Sequence, residues 1–418
     1  MVDLRRSLVA ILAVAMIAPL TACGDDAKPT FADPAAAEPA ASAGASSGAS
    51  SAPVTESTTG AGSVALTITP AKDKKNVPVS SEIGLKVSGG DVTSVTLKDA
   101  KGATVAGEMR EDGSAWVPSK PLKTKQTYAA TVVATGKDGA TTTATTSFTT
   151  MGEPGRRTGT GLYLFDDHTY GVAMPVVVEF NPGIKKADRA AVQNRMFVQS
   201  TPSQPGTWSW TASGTQAFYR APEFWQPGTT LKVRIAVGGL PTGNNIYGDR
   251  DRSATAKIGR SFEMQVDNAG KKMTVLKDGK TVKTMPVSLG KKSTPSSSGR
   301  MVIMEKKADT VFDTTDTDGA EGYRTRIQYA QRLTWSGQYI HSAPWSTGDQ
   351  GRRNVSHGCV NVSPSNARWL FDNTLIGDPV TVKGTEDKLD YGNGWTPWDV
   401  SWEKFAEGSA LKVPDGLG

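Results

Sequence analysis

The sequence predicts a mainly β protein built as successive modules behind an export signal. Three observations carry that prediction. From about residue 63 onward, apolar and polar residues alternate with period two, the spacing of half-buried strands. Asp-Gly pairs at Asp138-Gly139 and Asp278-Gly279 separate such runs, as tight hairpins require. Helical character is confined to short stretches, Lys186 to Arg195 and the segment after Ser363.

The chain begins with Arg5 and Arg6, then an uncharged, mostly apolar stretch from Leu8 to Leu20. Thirteen residues are too few to span a bilayer as a helix, which takes about 20. A positive start, a short apolar run and small residues before Cys23 make 1–23 an export signal. Leu20-Thr21-Ala22-Cys23 resembles a bacterial lipobox, in which the cysteine is lipidated and becomes the mature amino terminus. The alternative is an ordinary signal with an incidental cysteine. Residues 24–62 are dominated by Ala, Ser, Gly, Pro and Thr and have too little apolar surface to fold, so they form a flexible tether.

Folded modules follow, two to four being expected for 418 residues. Residues 63–150 alternate through Val64, Leu66 and Ile68, through Ile83, Leu85 and Val87, and through Tyr128, Ala130 and Val132. Several short strands in under 90 residues predict a small β-sandwich. Residues 151–261 form a second β-rich block, with strands at 176–180 and 231–235. A third block, 262–383, opens with a hairpin turning at Asp278-Gly279. Residues 290–299 lack the phosphate-loop pattern and read as a plain loop. Ser363 caps a helix with Pro364 at its first position, Ala367, Leu370 and Phe371 on one face, and an end near Asn373 and Gly377. The tail, 384–418, gathers Trp395, Trp398 and Trp402. They are expected as the core of a small subdomain on the third block, with sugar stacking as the alternative.

The formal charge is +6, which suits a protein working beside anionic lipids or wall polymers, or simply a solvated basic surface. Zinc-finger spacing, an RNP-like segment and dense Lys/Arg tracts are all missing, which argues against nucleic acid as a partner.

Chemistry concentrates near the third block's end. The chain has two cysteines and three histidines, and His341, His357 and Cys359 fall within 19 residues. A free thiol is mostly protonated at neutral pH, so a nucleophilic cysteine needs a base beside it. A histidine can take the thiol proton and later return it to a leaving amine. Gly358, without a Cβ, allows close backbone approach to a substrate carbonyl, and the Cys359 N–H with a neighbouring N–H can bind an oxyanion. Two other readings stand beside this one. His341, His357 and Cys359 can be three ligands of a metal that needs a fourth, without the familiar Cys-x-x-Cys spacing. Cys359 can also be an inert buried thiol. His168 lies far upstream and reads as a surface or turn residue.

His341-Ser342-Ala343-Pro344-Trp345 and Ser356-His357-Gly358-Cys359-Val360-Asn361, with fourteen residues between His341 and Ser356, resemble the signature of bacterial L,D-transpeptidases with a YkuD-type catalytic domain. The resemblance extends to Gly322-Tyr323-Arg324-Thr325, to the 264–290 hairpin, and to the layout of the actinobacterial members. That layout is a lipoprotein signal, a tether, two immunoglobulin-like domains, a catalytic domain and a Trp-rich tail. It implies that Cys359 attacks the carbonyl of the third residue of a tetrapeptide donor stem, so that D-alanine leaves and a thioester remains. An amine of an acceptor stem then closes a 3→3 peptidoglycan cross-link. His341 matches the general base, and Ser342 the residue whose carbonyl orients it. His357, Gly358 and Asn361 match positions that shape the pocket, and Tyr323 matches a lid tyrosine at the oxyanion side. Phe312 stands before Asp313 where relatives often carry Met. Arg352 and Arg353 read as exposed loop charges, with a substrate carboxylate as their alternative contact. The resemblance implies no cofactor or metal, and carbapenem-type β-lactams as inhibitors. It implies an extracytoplasmic enzyme held to the outer membrane face by lipid on Cys23. The rival activities are L,D-carboxypeptidase, with water as acceptor, and a non-catalytic wall-binding protein.

Overall fold

The computed structural model describes residues 64–313, 315, 324–414 and 416–417. The export signal with Cys23, the tether, Gly322 and Tyr323 lie outside the described residues.

The first sandwich faces one four-stranded sheet with another. One holds Ala65–Thr69, Ile83–Ser88, Ala115–Pro118 and Gly107–Met109 in that order. The other holds Lys74–Val77, Thr141–Thr150, Thr127–Gly136 and Gly90–Asp99. Alternation sets the faces: Thr127–Gly136 exposes Thr127, Ala129 and Thr131 and buries Tyr128, Ala130 and Val132. These meet Leu66, Ile83, Leu97 and Phe148 in one core. Gly139, at φ +82°, closes the expected hairpin.

The second sandwich pairs a six-stranded sheet, centred on Val176–Asn181, with a four-stranded one containing Thr230–Ile235. The short helix expected near 186–195 is a 3₁₀ turn, Lys186–Asp188, leading into Arg189–Gln193. Glu82 of the first sandwich pairs with Arg110 of the same module and with Arg195 of the second, tying the two together.

The third block carries two sheets. The larger runs Lys280–Pro286, Lys272–Lys277, Phe262–Asp267, Pro379–Lys383, Ser297–Val302 and Asp387–Lys388. The smaller runs Glu305–Asp313, Arg324–Arg332, Tyr339–Ser342 and Val360–Val362. Asp278 and Gly279 both take positive φ, the geometry of a two-residue hairpin turn. The helix Pro364–Asn373 starts where expected, with the Ser363 hydroxyl accepting from Asn366 N–H, and it buries Ala367 and Leu370 against the sheets. The stretch expected as plain loop at 290–299 becomes strand from Ser297.

The tail packs on the third block as expected, through Asn393 on Ser336, Trp395 on Met304 and Asp399 on Arg300, and it also packs on the second sandwich, which the sequence did not announce. Trp395, Trp398 and Phe405 are buried in a core shared by Trp208, Trp210 and Phe218 of the second sandwich and Val302, Met304 and Trp335 of the third block. Trp398 Nε1–H donates to the Ala173 carbonyl at 2.7 Å. Arg220 of the second sandwich is 2% exposed and lies between the Trp398, Trp402 and Phe405 rings. Its guanidinium donates to the carbonyls of Pro397, Val400 and Ser401, among others. The physical reason shows in the strands Thr207–Trp210 and Gln216–Arg220, buried at every position. One face carries Trp208, Trp210, Ala217 and Tyr219 and the other Thr207, Ser209, Phe218 and Arg220; the tail covers the second, with Tyr391 against Phe218 and Ser409 Oγ accepting from Thr207 Oγ1.

Candidate active site

The Ser356-to-Asn361 loop is built onto the strand edge at 287–290. Ser356 N–H donates to Leu289 O at 3.0 Å and Lys291 N–H to Ser356 O at 2.9 Å. Ser288 and Asn361 exchange both backbone bonds, at 2.9 and 3.1 Å. Ser296 Oγ donates to Gly358 O at 2.7 Å, and Ser356 Oγ to Cys359 O at 2.6 Å. The loop is therefore held from both sides before any ligand arrives. Gly358 sits at φ +113°, and a Cβ there would meet its nearest neighbour only at 3.6 Å. What demands glycine is the backbone conformation, rather than the crowding expected from a close approach.

His341 lies on Tyr339–Ser342, which runs parallel to Val360–Val362 and registers His341 opposite Asn361. Cys359 immediately precedes the second strand, so the pairing brings base and thiol to one end of the small sheet. His341, Cys359, Ser356, His357 and Asn361 line one cavity of about 340 Å³ with Thr325, Ile327, Trp345 and Val355. Of the sequence-predicted residues, His357 is exposed at this cavity, Ser342 is buried behind His341, and Gly358 supports the loop. Arg352 and Arg353 are exposed, and Arg353 pairs with Asp349. His168 is exposed on the second sandwich.

The electrostatics are those of a neutral pair. His341 Nδ1 is 2.9 Å from Ser342 O, and a carbonyl only accepts, so the proton is on Nδ1 and Nε2 holds the lone pair. Burial pushes the imidazole down to about 4, partly opposed by that carbonyl. Burial pushes the Cys359 thiol up to about 12, partly opposed by a backbone hydrogen bond from Tyr339. The Cys359 S–H donates to Gly337 O at 3.7 Å. The resting site thus holds a thiol and a neutral imidazole, not the preformed thiolate that a reactive cysteine suggests.

Ile327 and Ala330 carried no sequence signal, while Phe312 and Trp345 stood beside the motifs with no contact assigned to them. Phe312, Ile327 and Ala330, on the two long strands flanking residues 316–323, pack on Cys359. Phe312 stands edge-on to His341 with ring centroids 5.6 Å apart, and 4.6 Å from Tyr339. Trp345, 58% exposed, lies over His341 at 6.0 Å and forms the mouth of the cavity. The Gly358 N–H is already committed to Ser356 Oγ at 3.2 Å, so it is not the second oxyanion donor imagined beside Cys359. Asn361 is 2% exposed; its Nδ2 donates to Ser346 Oγ while its Oδ1 has no partner among the described residues. Among the described residues, no three His, Cys, Asp or Glu side chains converge as metal ligands.

The L,D-transpeptidase catalytic domain family, YkuD, matches residues 261–382, and the bacterial Ig domain family matches residues 74–241. L,D-transpeptidase 2 of Mycobacterium tuberculosis is 32% identical over 342 residues, covering 80% of this chain and 82% of the relative. L,D-transpeptidase 5 of the same species is 32% identical over 358 residues, covering 84% and 78%. A solved structure of the L,D-transpeptidase LdtMt1 in complex with imipenem is 32% identical, covers 53% of this chain and 97% of its own, and superposes with a TM-score of 0.45. With relatives matched across most of both lengths, and a YkuD domain behind an Ig-like region, the chain belongs to the L,D-transpeptidase family.

Proposed function

We propose that this transpeptidase forms 3→3 peptidoglycan cross-links through a thioester on Cys359. The observation that carries the reading is the fixed tautomer of His341. Its Nδ1–H is engaged by Ser342 O, so Nε2 is the basic atom, in the cavity it shares with Cys359. The third-residue carbonyl of a donor tetrapeptide sits over the sulfur. As sulfur bonds to that carbon, the thiol proton passes to His341 Nε2. The tetrahedral intermediate collapses, the C–N bond to D-alanine breaks, and His341 returns the proton to the leaving amine. The side-chain amine of an acceptor stem then attacks the thioester, His341 takes a proton from it, and the sulfur leaves and is reprotonated. A neutral thiol and a neutral imidazole make proton transfer concurrent with attack, because separated charges are costly in a buried site. The unpartnered Asn361 Oδ1 offers an acceptor to a stem-peptide N–H.

The same sulfur would open a carbapenem ring and retain it as an acyl adduct, in keeping with the imipenem complex of a 32% identical relative. The export signal and Cys23 lipobox would hold the enzyme on the outer face of the membrane, with the tether spanning toward the wall. Mass spectrometry of muropeptides after incubation with tetrapeptide monomers tests the reading. Dimers joined third residue to third residue, with one D-alanine released per bond, are expected. Tripeptide monomers alone would replace it with the carboxypeptidase reading, and unchanged substrate would overturn both.

A further inference from the structure

The thiol of Cys359 is held by a turn rather than by the histidine. Its S–H donates to Gly337 O, and Tyr339 gives it a backbone hydrogen bond. Gly337, at φ +93°, sits in the turn joining Arg324–Arg332 to Tyr339–Ser342. The turn is closed internally by Leu333 N–H to Gln338 O at 2.9 Å and Gln338 N–H to Thr334 Oγ1 at 3.0 Å. On one side it is braced by the catalytic block, where Gln338 Nε2 donates to Ser297 Oγ at 2.9 Å.

The other side is braced by the tail, from a single side chain. Asn393 Oδ1 accepts from Ser336 N–H, and Asn393 Nδ2 donates to Ser336 Oγ, each at 2.9 Å. Ser336 Oγ is in turn 3.1 Å from Thr334 Oγ1. A carboxamide gripping both the backbone and the side chain of one residue fixes its position and its orientation. The adjoining tail backbone touches the same turn: a Cβ on Gly394 would stand 2.8 Å from Leu333 O, and Trp395 N–H donates to Met304 Sδ at 3.1 Å. A few residues on, the tail is locked to the second sandwich through Arg220 and Trp398. A continuous line of contacts therefore runs from an immunoglobulin-like module to the carbonyl that accepts the Cys359 S–H hydrogen bond.

We propose that Asn393 is a positioning residue for Cys359, fixing the 334–338 turn so that the Gly337 carbonyl stays against the thiol. The proposal rests on the reading of Cys359 as nucleophile. Its physical consequence concerns ionisation. A carbonyl accepting the S–H stabilises the neutral thiol and opposes the thiolate, and a tightly seated turn keeps water off the sulfur. Releasing the turn removes both effects, and both changes act to lower the pH at which the thiol ionises.

The test is the pH dependence of alkylation by iodoacetamide in the full chain, read by mass spectrometry on the peptide containing Cys359 so that Cys23 does not contribute. Asn393→Ala is expected to lower the midpoint by about half a pH unit or more, speeding alkylation roughly threefold below the midpoint. Asn393→Asp, which still accepts from Ser336 N–H and Oγ–H, is expected to restore the parent midpoint. An unchanged midpoint in Asn393→Ala would overturn the proposal whether or not its melting temperature falls, since a merely structural role changes stability alone. If Asn393→Ala does not fold, Ser336→Ala severs the side-chain half of the grip. A downward shift is again expected, and an unmoved midpoint again overturns it. Iodoacetamide needs no stem peptide, so the result is independent of whether 3→3 transfer is observed.

Discussion

The Nδ1–H of His341 is bonded to the carbonyl of its own neighbour, Ser342, at 2.9 Å. The base is thus oriented by backbone, with no carboxylate in that role. A backbone carbonyl cannot be lost by side-chain substitution at position 342, so the tautomer is set by the strand itself. Ser342→Ala should retain most activity, whereas His341→Ala should strongly reduce acylation near neutral pH. Raising the pH should partly rescue His341→Ala, because solvent then ionises the thiol without help. In the parent, acylation should fall as pH drops through about 4, where the imidazole takes a second proton. Stopped-flow acylation against pH, with and without a chelator, checks these outcomes. Loss of parent activity to the chelator would instead favour a metal ligand role for His341 and Cys359.

Cys359→Ala should abolish acyl transfer and hydrolysis while leaving the fold intact. It should also remove part of the alkaline sensitivity of the protein. The thiol ionises near 9 when free and at about 12 when folded. Above 9 the folded state therefore binds more protons than the unfolded state, and stability falls as pH rises, by about 1.4 kcal/mol per unit until the folded value is reached. Melting curves between pH 8 and 11 should show a shallower decline in the alanine variant. Parallel curves for the two proteins would show that the buried thiol does not contribute.

Gly358→Ala places a side chain at φ +113°, a region L residues rarely adopt. The expected cost is about 1–3 kcal/mol, with activity falling more steeply because the strain is relieved by moving the loop that carries Cys359. Chemical denaturation together with turnover checks both parts. Unchanged turnover would mean that the loop tolerates the residue in place.

Trp398→Ala should destabilise the protein by about 3–5 kcal/mol, the usual cost of truncating a buried tryptophan. Because Trp398 bridges to Ala173, the second sandwich should lose protection along with the tail. Hydrogen exchange on the strands Thr207–Trp210 and Gln216–Arg220 reads this directly. A loss confined to residues of the third block would restore the expectation that the tail packs there alone.

Cys23→Ser should release the exported protein from membranes into the soluble fraction. Each buried CH₂ of an acyl chain contributes about 0.8 kcal/mol, and removing the attachment point removes all of it. Fractionation followed by immunoblotting decides the matter, unchanged partitioning pointing to another anchor.

What was legible in the sequence was local. Period-two alternation marked the strands, because a half-buried strand writes its burial directly into residue order. The Asp278-Gly279 turn and the Ser363-Pro364 helix start were legible for the same reason, each being decided by a few neighbouring side chains. The His341 to Cys359 motif was legible through its match to a family signature, while the parallel pairing that brings the two residues to one sheet end was not.

The contacts between distant segments were not. Residues 290–299 read as a plain loop, although Ser296 and the adjoining 287–290 edge support the cysteine loop. Phe312 and Ile327 fold over Cys359 from strands far earlier in the chain. The tail tryptophans announced a core without saying whose. That depended on Thr207, Phe218 and Arg220 of the second sandwich, 170 residues and more away.

The sequence by itself determined the β modules, their order, the reactive residues and their family, because these follow from local periodicity and from a motif of specific spacing. Only the tertiary structure decided the protonation state of the site and the brace behind it. Ionisation depends on how completely surrounding segments exclude water from His341 and Cys359. The brace depends on Asn393 meeting Ser336 across 57 residues of chain. Both are properties of packing between segments remote in sequence, and burial there, rather than residue identity, sets the energy of a charge.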